Sequence, residues 1–146
     1  MTEPCERAGE LFDSGLYCAE SVLKAIAEAG DIDSDIIPKI ATGLCSGLSR
    51  TCRTCGAVSG AVMGISLVYG RNTPARDVEY VYALIQRFVD VFSKKFGSTN
   101  CHELTGCDLG TEEGQRHFEI NHLKEKCREF TKEATKMAIH IMEEGV

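Results

Sequence analysis

Apolar positions recur at helical spacing along most of this chain. Cys18, Ser21, Val22, Ala25, Ile26 and Ala29 share one face of a helical period, preceded by the turn residues Asp13-Ser14-Gly15 and followed by Gly30. A first short helix is predicted over Pro4 to Phe12, and another, capped by Ser34, through Ile37, Ile40 and Ala41 to Gly43. From Gly43 to Thr54 there is no apolar period, and Gly, Ser and Thr are frequent, which predicts a loop. It delivers the chain into its most apolar stretch, Cys55 to Tyr69, read as a buried core helix. Pro74 suits the start of a long helix whose stripe is Val78, Val81, Tyr82, Ile85, Phe88, Val89, Phe92 and Phe96, stopping at Gly97. Ser98 to Gly110 reads as a second loop with room for one helical turn. Thr111-Glu112-Glu113 opens another helix, and Cys127, Phe130, Ala134, Met137, Ala138 and Ile141 share one face of the last. No strand pattern of useful length occurs. The expectation is an all-α fold, a compact single-domain bundle of about five to seven helices spanning residues 1–146.

Within the core stretch Gly56, Gly60 and Gly64 fall on every fourth position. Each glycine inside a helix costs about 1 kcal/mol relative to alanine, so three together need a reason. A side-chain-free ridge allows another backbone to pack closely, and it also leaves room for a cofactor or a group of cysteines.

Composition narrows the function. Apolar residues are 43% and charged residues 26% of the 146, ordinary for a domain with a buried core. A net charge of -6 offers no general attraction to nucleic acid or to an anionic membrane surface. The apolar run ending at Tyr69 is shorter than the ~20 residues of a membrane span, so no membrane insertion is expected. Acids near the amino terminus replace the basic start of a secretory signal, and the expected location is cytoplasmic. Eight cysteines in such a chain point to metal binding or catalysis, because a reducing cytosol does not sustain structural disulfides.

The helical period turns Cys18 and Cys127 toward the core. Cys55 opens the most buried helix, where unpaired N–H groups and the positive end of the helix dipole should lower a thiol pKa, making it the candidate nucleophile. Cys101 lies in a loop just ahead of Leu104-Thr105-Gly106 and could reach inward to join them. The pair Cys52-Arg53-Thr54-Cys55 has C-x-x-C spacing, yet no strand precedes it as a thioredoxin-like motif requires, and no second C-x-x-C completes a zinc knuckle. Among His102, His117, His122 and His140, only His102, beside Cys101, has functional promise. No phosphate loop, dinucleotide fingerprint or Gly-x-Ser-x-Gly elbow is present.

The segments Tyr17-Cys18-Ala19-Glu20-Ser21-Val22-Leu23, Thr54-Cys55-Gly56-Ala57-Val58-Ser59-Gly60-Ala61, Cys101-His102-Glu103-Leu104-Thr105-Gly106 and Cys127 together resemble the C-GCAxxG-C-C family, described as redox-active. The resemblance runs from about Ala8 to Ile141, with Cys55 to Gly60 as the central Cys-Gly-Ala-x-x-Gly signature. It implies a small helical protein whose four family cysteines correspond to Cys18, Cys55, Cys101 and Cys127. A similar module forms part of split-Soret cytochromes, where an iron–sulfur cluster has been proposed. Cys5, Cys45, Cys52 and Cys107 stand outside the pattern, either incidental or forming a second redox pair.

Three functions follow. Four thiolates from four segments are the set that an iron–sulfur cluster takes for electron transfer, with a four-thiolate zinc as the inert counterpart. Without metal, the chain is a thiol–disulfide carrier or oxidoreductase in which Cys55 attacks and Cys18, Cys101 or Cys52 resolves. The third is a helical partner-binding domain whose cysteines only pack. A redox partner protein is implied by the first two and is not identified by the residues; a homodimer stays open.

Overall fold

The computed structural model describes residues 2–146. Eight helices follow one another: α1 (Pro4–Asp13), α2 (Cys18–Ala29), α3 (Cys45–Arg50), α4 (Gly56–Tyr69), α5 (Glu79–Phe96), α6 (Cys101–Thr105), α7 (Glu112–Ile120) and α8 (Lys124–Glu144). A 3-10 stretch, Lys39–Leu44, runs directly into α3. No strand forms among the described residues, only an isolated bridge between Thr54 and Asn100. The all-α expectation holds, with more helices than the five to seven expected. The additional ones are short pieces whose few residues carry no apolar period.

The amphipathic stripes account for the packing. α2 lies along α4, α8 touches α1, α2, α4 and α5, and α5 closes over α4 and α8. Val22, Leu23, Ile26, Ile65, Leu84, Phe88, Phe92, Ala134 and Ile141 are buried where they meet. Phe92, Phe96 and Phe130 form an aromatic cluster between α5 and α8, with ring centroids 4.8 to 6.2 Å apart. Such pairs add about 0.5–1.5 kcal/mol each beyond the area they bury. α1 is also tied to its neighbours by Arg7–Glu28 and Arg128–Asp13, both at 2.8 Å. These pairs are partly exposed, and a surface pair contributes at most about 1 kcal/mol.

The glycine ridge faces α2. A Cβ at Gly60 would lie 2.7 Å from the Ala19 carbonyl oxygen and 2.9 Å from Ala19 Cα, and one at Gly64 would meet Ile26 Cδ1 at 2.5 Å. Close approach of α2 and α4 is therefore the reason for the ridge at these two positions. At the ridge's first position, Gly56, the atom in the way is the Cys18 sulfur.

Element boundaries depart from expectation at three places. The helix expected from Ser34 forms only from Lys39, as a 3-10 stretch, because Pro38 has no N–H to donate and restricts the residue before it. The long helix expected from Pro74 begins at Glu79, whose N–H is held by the Asp77 side chain at 3.1 Å. The expected loop from Gly43 to Thr54 contains α3, and this helix is left-handed: Ser46, Gly47, Leu48, Ser49 and Arg50 all have φ between 56° and 69°. Left-handed turns cost about 1–2 kcal/mol for each residue with a Cβ, so neither propensity nor periodicity predicts one.

Candidate functional site

Local hydrogen bonds hold the strained turn, and a ladder to a distant segment holds the residues that follow it. Arg53 N–H donates to Gly47 O at 2.9 Å, and Thr51 Oγ1 donates to Leu48 O at 2.7 Å. Cys55 N–H donates to Thr99 O and Cys101 N–H to Arg53 O, both at 2.8 Å, while Asn100 Nδ2 donates to Cys52 O at 2.9 Å. Asn100 also caps α6, its Oδ1 accepting from Glu103 N–H at 3.1 Å. This ladder brings Cys101, at the start of α6, beside Cys55, at the start of α4. Gly47 has to be glycine there on two grounds. Its φ is +64°, and a Cβ would lie 2.5 Å from Cys101 Cβ and 3.0 Å from Cys101 Sγ.

Cys18, Cys55, Cys101 and Cys127 all line one cavity of about 850 Å³. Cys18 is the first residue of α2, Cys55 is the N-cap of α4, Cys101 opens α6 and Cys127 lies in the second turn of α8. Three are buried and Cys127 is half-buried, and none is in a disulfide. The outer wall is α7, which buries only Gly114 of its own residues. Arg50, Arg116 and Lys124 face Glu112, Glu119 and Glu125 around the cavity.

Cys18 is the hub of the sulfurs. Its thiol is held down at about 7, chiefly by a hydrogen bond from Cys45, with burial working against this and backbone N–H groups assisting. The Cys45 thiol is pushed well up by the same contact and by its own burial. Burial raises Cys55 to about 12 and Cys101 to about 11, and the charge of Cys18 adds to both. Burial and then Cys18 also raise Cys127.

The thiol expected to be depressed by its helix start, Cys55, is therefore raised. The N–H groups of Ala57 and Val58 do favour its thiolate, but loss of solvent outweighs them. His102 is exposed on α6 and does not line the cavity, so its place beside Cys101 in sequence gives it no contact with the site. His122 does line it. Of the cysteines outside the family pattern, Cys52 donates to Asp108 Oδ1 at 3.2 Å and Cys107 is buried with its S–H toward Thr105 O at 3.6 Å. Cys45 does not line the cavity but lies close to Cys18 behind it. Sequence reasoning missed it because it begins a left-handed turn with no apolar period; its spacing from Cys18 carries no recognisable signal.

A pH series on the metal-free protein should reflect this order. Cys18 is expected to be the first of the cavity thiols to be alkylated as the pH rises through about 7, with Cys55 and Cys101 still protonated at pH 8. Peptide mass mapping after short exposure to iodoacetamide measures it. Labelling of Cys55 ahead of Cys18 would contradict the assignment.

No three Cys, His, Asp or Glu side chains among the described residues come together closely enough to hold a single metal ion. No helix of the described residues is long and apolar enough to cross a membrane. Searches of curated proteins and of solved structures give no significant match. A family model described as "Putative redox-active protein (C_GCAxxG_C_C)" matches residues 16–141, a span that includes all four cavity cysteines. By this match over most of its length, the chain belongs to the C-GCAxxG-C-C family.

Proposed function

We propose that this chain is an electron-transfer protein whose Cys18, Cys55, Cys101 and Cys127 thiolates hold an iron–sulfur cluster on the inner wall of the cavity. The observation that carries the reading is that four unpaired thiols from four separate helices line one cavity. Cysteines bind such clusters as thiolates, one to each of several iron corners, and their sulfurs stand farther apart than the ligands of one ion. Gly47 and Gly56 fit the same reading, because a Cβ at either would press on Cys101 or Cys18. When bound, the cluster supplies one-electron redox chemistry. The chain's own residues supply the ligands, the burial that keeps water from them, and the rigid α2–α4 contact that sets their spacing.

Cys55, Cys101 and Cys127 are held protonated by burial, so they must lose protons to become ligands. Loading is therefore expected to release protons and to be favoured as the pH rises. The test is anaerobic purification and reconstitution, read by visible absorption, iron and acid-labile sulfide. A brown protein that loses its colour on Cys18→Ser, Cys55→Ser, Cys101→Ser or Cys127→Ser, and keeps it on Cys5→Ser, is the expected result. A protein that stays colourless and iron-free after reconstitution would overturn the reading.

A further inference from the structure

Beyond the four family cysteines that line the cavity, a fifth thiol, Cys45, is buried behind its wall. The Cys45 side chain is buried close to Cys18. Its S–H is also 3.7 Å from both Glu20 Oε1 and Ala41 O. Glu20 stands in the first turn of α2, two residues after Cys18, and its other carboxylate oxygen accepts from Thr42 Oγ1 at 2.8 Å. The 3-10 stretch that leads to Cys45 is thus fastened to the turn that begins with Cys18. Gly56 completes the arrangement: the place of its missing Cβ lies against Cys18 Sγ and is 3.2 Å from Cys45 Cα. Both cysteines therefore flank one glycine with no side chain between them.

We propose that Cys18 and Cys45 form a dithiol that closes to a disulfide by exchange with a low-molecular-weight disulfide, a redox reaction separate from cluster chemistry. The Cys18 thiol loses its proton to water, and its thiolate attacks one sulfur of the small disulfide, whose S–S bond breaks to release one thiolate. Cys45 gives its proton to that thiolate. The Cys45 sulfur then attacks the Cys18 sulfur of the mixed disulfide, and the second small thiolate leaves and takes a proton from water. Two protein thiols are oxidised and one small disulfide is reduced to two thiols.

This reaction does not depend on the cluster reading, and one experiment separates the two. The full chain, as purified and after removal of iron by a chelator, is treated anaerobically with oxidised glutathione. Disulfide-linked peptides are mapped by mass spectrometry and iron is measured in the same samples. A peptide pair joining Cys18 to Cys45 is expected, and Cys45→Ser should instead retain one glutathione on Cys18. Bridging only after chelation supports both proposals, and bridging in an iron-free protein supports this one alone. A bridge from Cys18 to Cys55 or Cys101, or glutathione retained on Cys18 in the parent while Cys45 stays free, overturns it. So does the absence of any bridge after chelation. The parent protein alone decides the outcome, so the proposal stays testable even if Cys45→Ser fails to fold.

Discussion

Replacing Gly60 with leucine is expected to lower the thermal midpoint by roughly 6–12 °C, although leucine is the better helix former by about 1 kcal/mol. A Cβ alone at this position would lie 2.7 Å from the Ala19 carbonyl oxygen, 2.9 Å from Ala19 Cα and 3.1 Å from Val22 Cβ. Two of the three obstacles are backbone, which cannot turn aside as a side chain can. Overpacking typically costs 1–3 kcal/mol, and a collision with a helix backbone belongs at about 3 kcal/mol or above. The only relief is for α2 to move off α4, which separates Cys18 from Cys55. Circular-dichroism melts of mutant and parent measure the first consequence, and metal or cluster content the second. Equal stability would mean that the ridge does not face α2 in solution.

Gly56→Ala is expected to act on the site more than on the fold. Alanine favours helix, so on an open surface the change should be harmless or stabilising. Here the new methyl group collides with Cys18 Sγ and lies 3.1 Å from Leu44 O and 3.2 Å from Cys45 Cα. A sulfur on a rotatable side chain yields more easily than a backbone, so Cys18 swings out of place while α2 stays seated. Loss of one correctly oriented ligand should weaken metal loading by about tenfold or more, the scale on which disturbed ligand support acts. Breaking the contact with Cys45 should also return the Cys18 thiol upward from about 7 toward its ordinary range, since that contact is the main cause of its depression. Iron content per chain and the pH midpoint of Cys18 alkylation check the two effects independently. A variant with full loading and an unchanged midpoint would show that Gly56 has no part in placing Cys18.

Much of the helical framework was legible before any coordinates. The α2 helix starts after the Asp13-Ser14-Gly15 turn and ends at Gly30 as predicted, its stripe buried from Cys18 to Ile26 with Ala29 exposed, and the α8 stripe buries Phe130, Ala134, Ala138 and Ile141. Thr111 does open a helix, its side chain accepting from Gly114 N–H at 2.9 Å. Misplaced boundaries fall where local stereochemistry competes with periodicity, as at Pro38 and between Pro74 and Asp77. The left-handed turn at Ser46–Arg50 has no counterpart in pattern reasoning, because right-handed propensities say nothing of a left-handed conformation.

Taken by itself, the sequence determined which faces of the long helices are apolar, and so that Cys18 and Cys127 turn inward. It also carried the glycine ridge and the family signature. These are local properties, set by a period of 3.6 residues or by adjacent residue types. Tertiary structure alone decided the company each sulfur keeps. The expected low pKa at Cys55 rested on its helix start, yet burial by elements remote in the chain outweighs the helix and raises it to about 12. The depressed thiol is Cys18, through a neighbour from outside the family pattern. Cys45 comes near it because the Lys39–Leu44 stretch packs on α2, and desolvation and the influence of neighbouring groups depend on such closeness in space, which no spacing along the chain records.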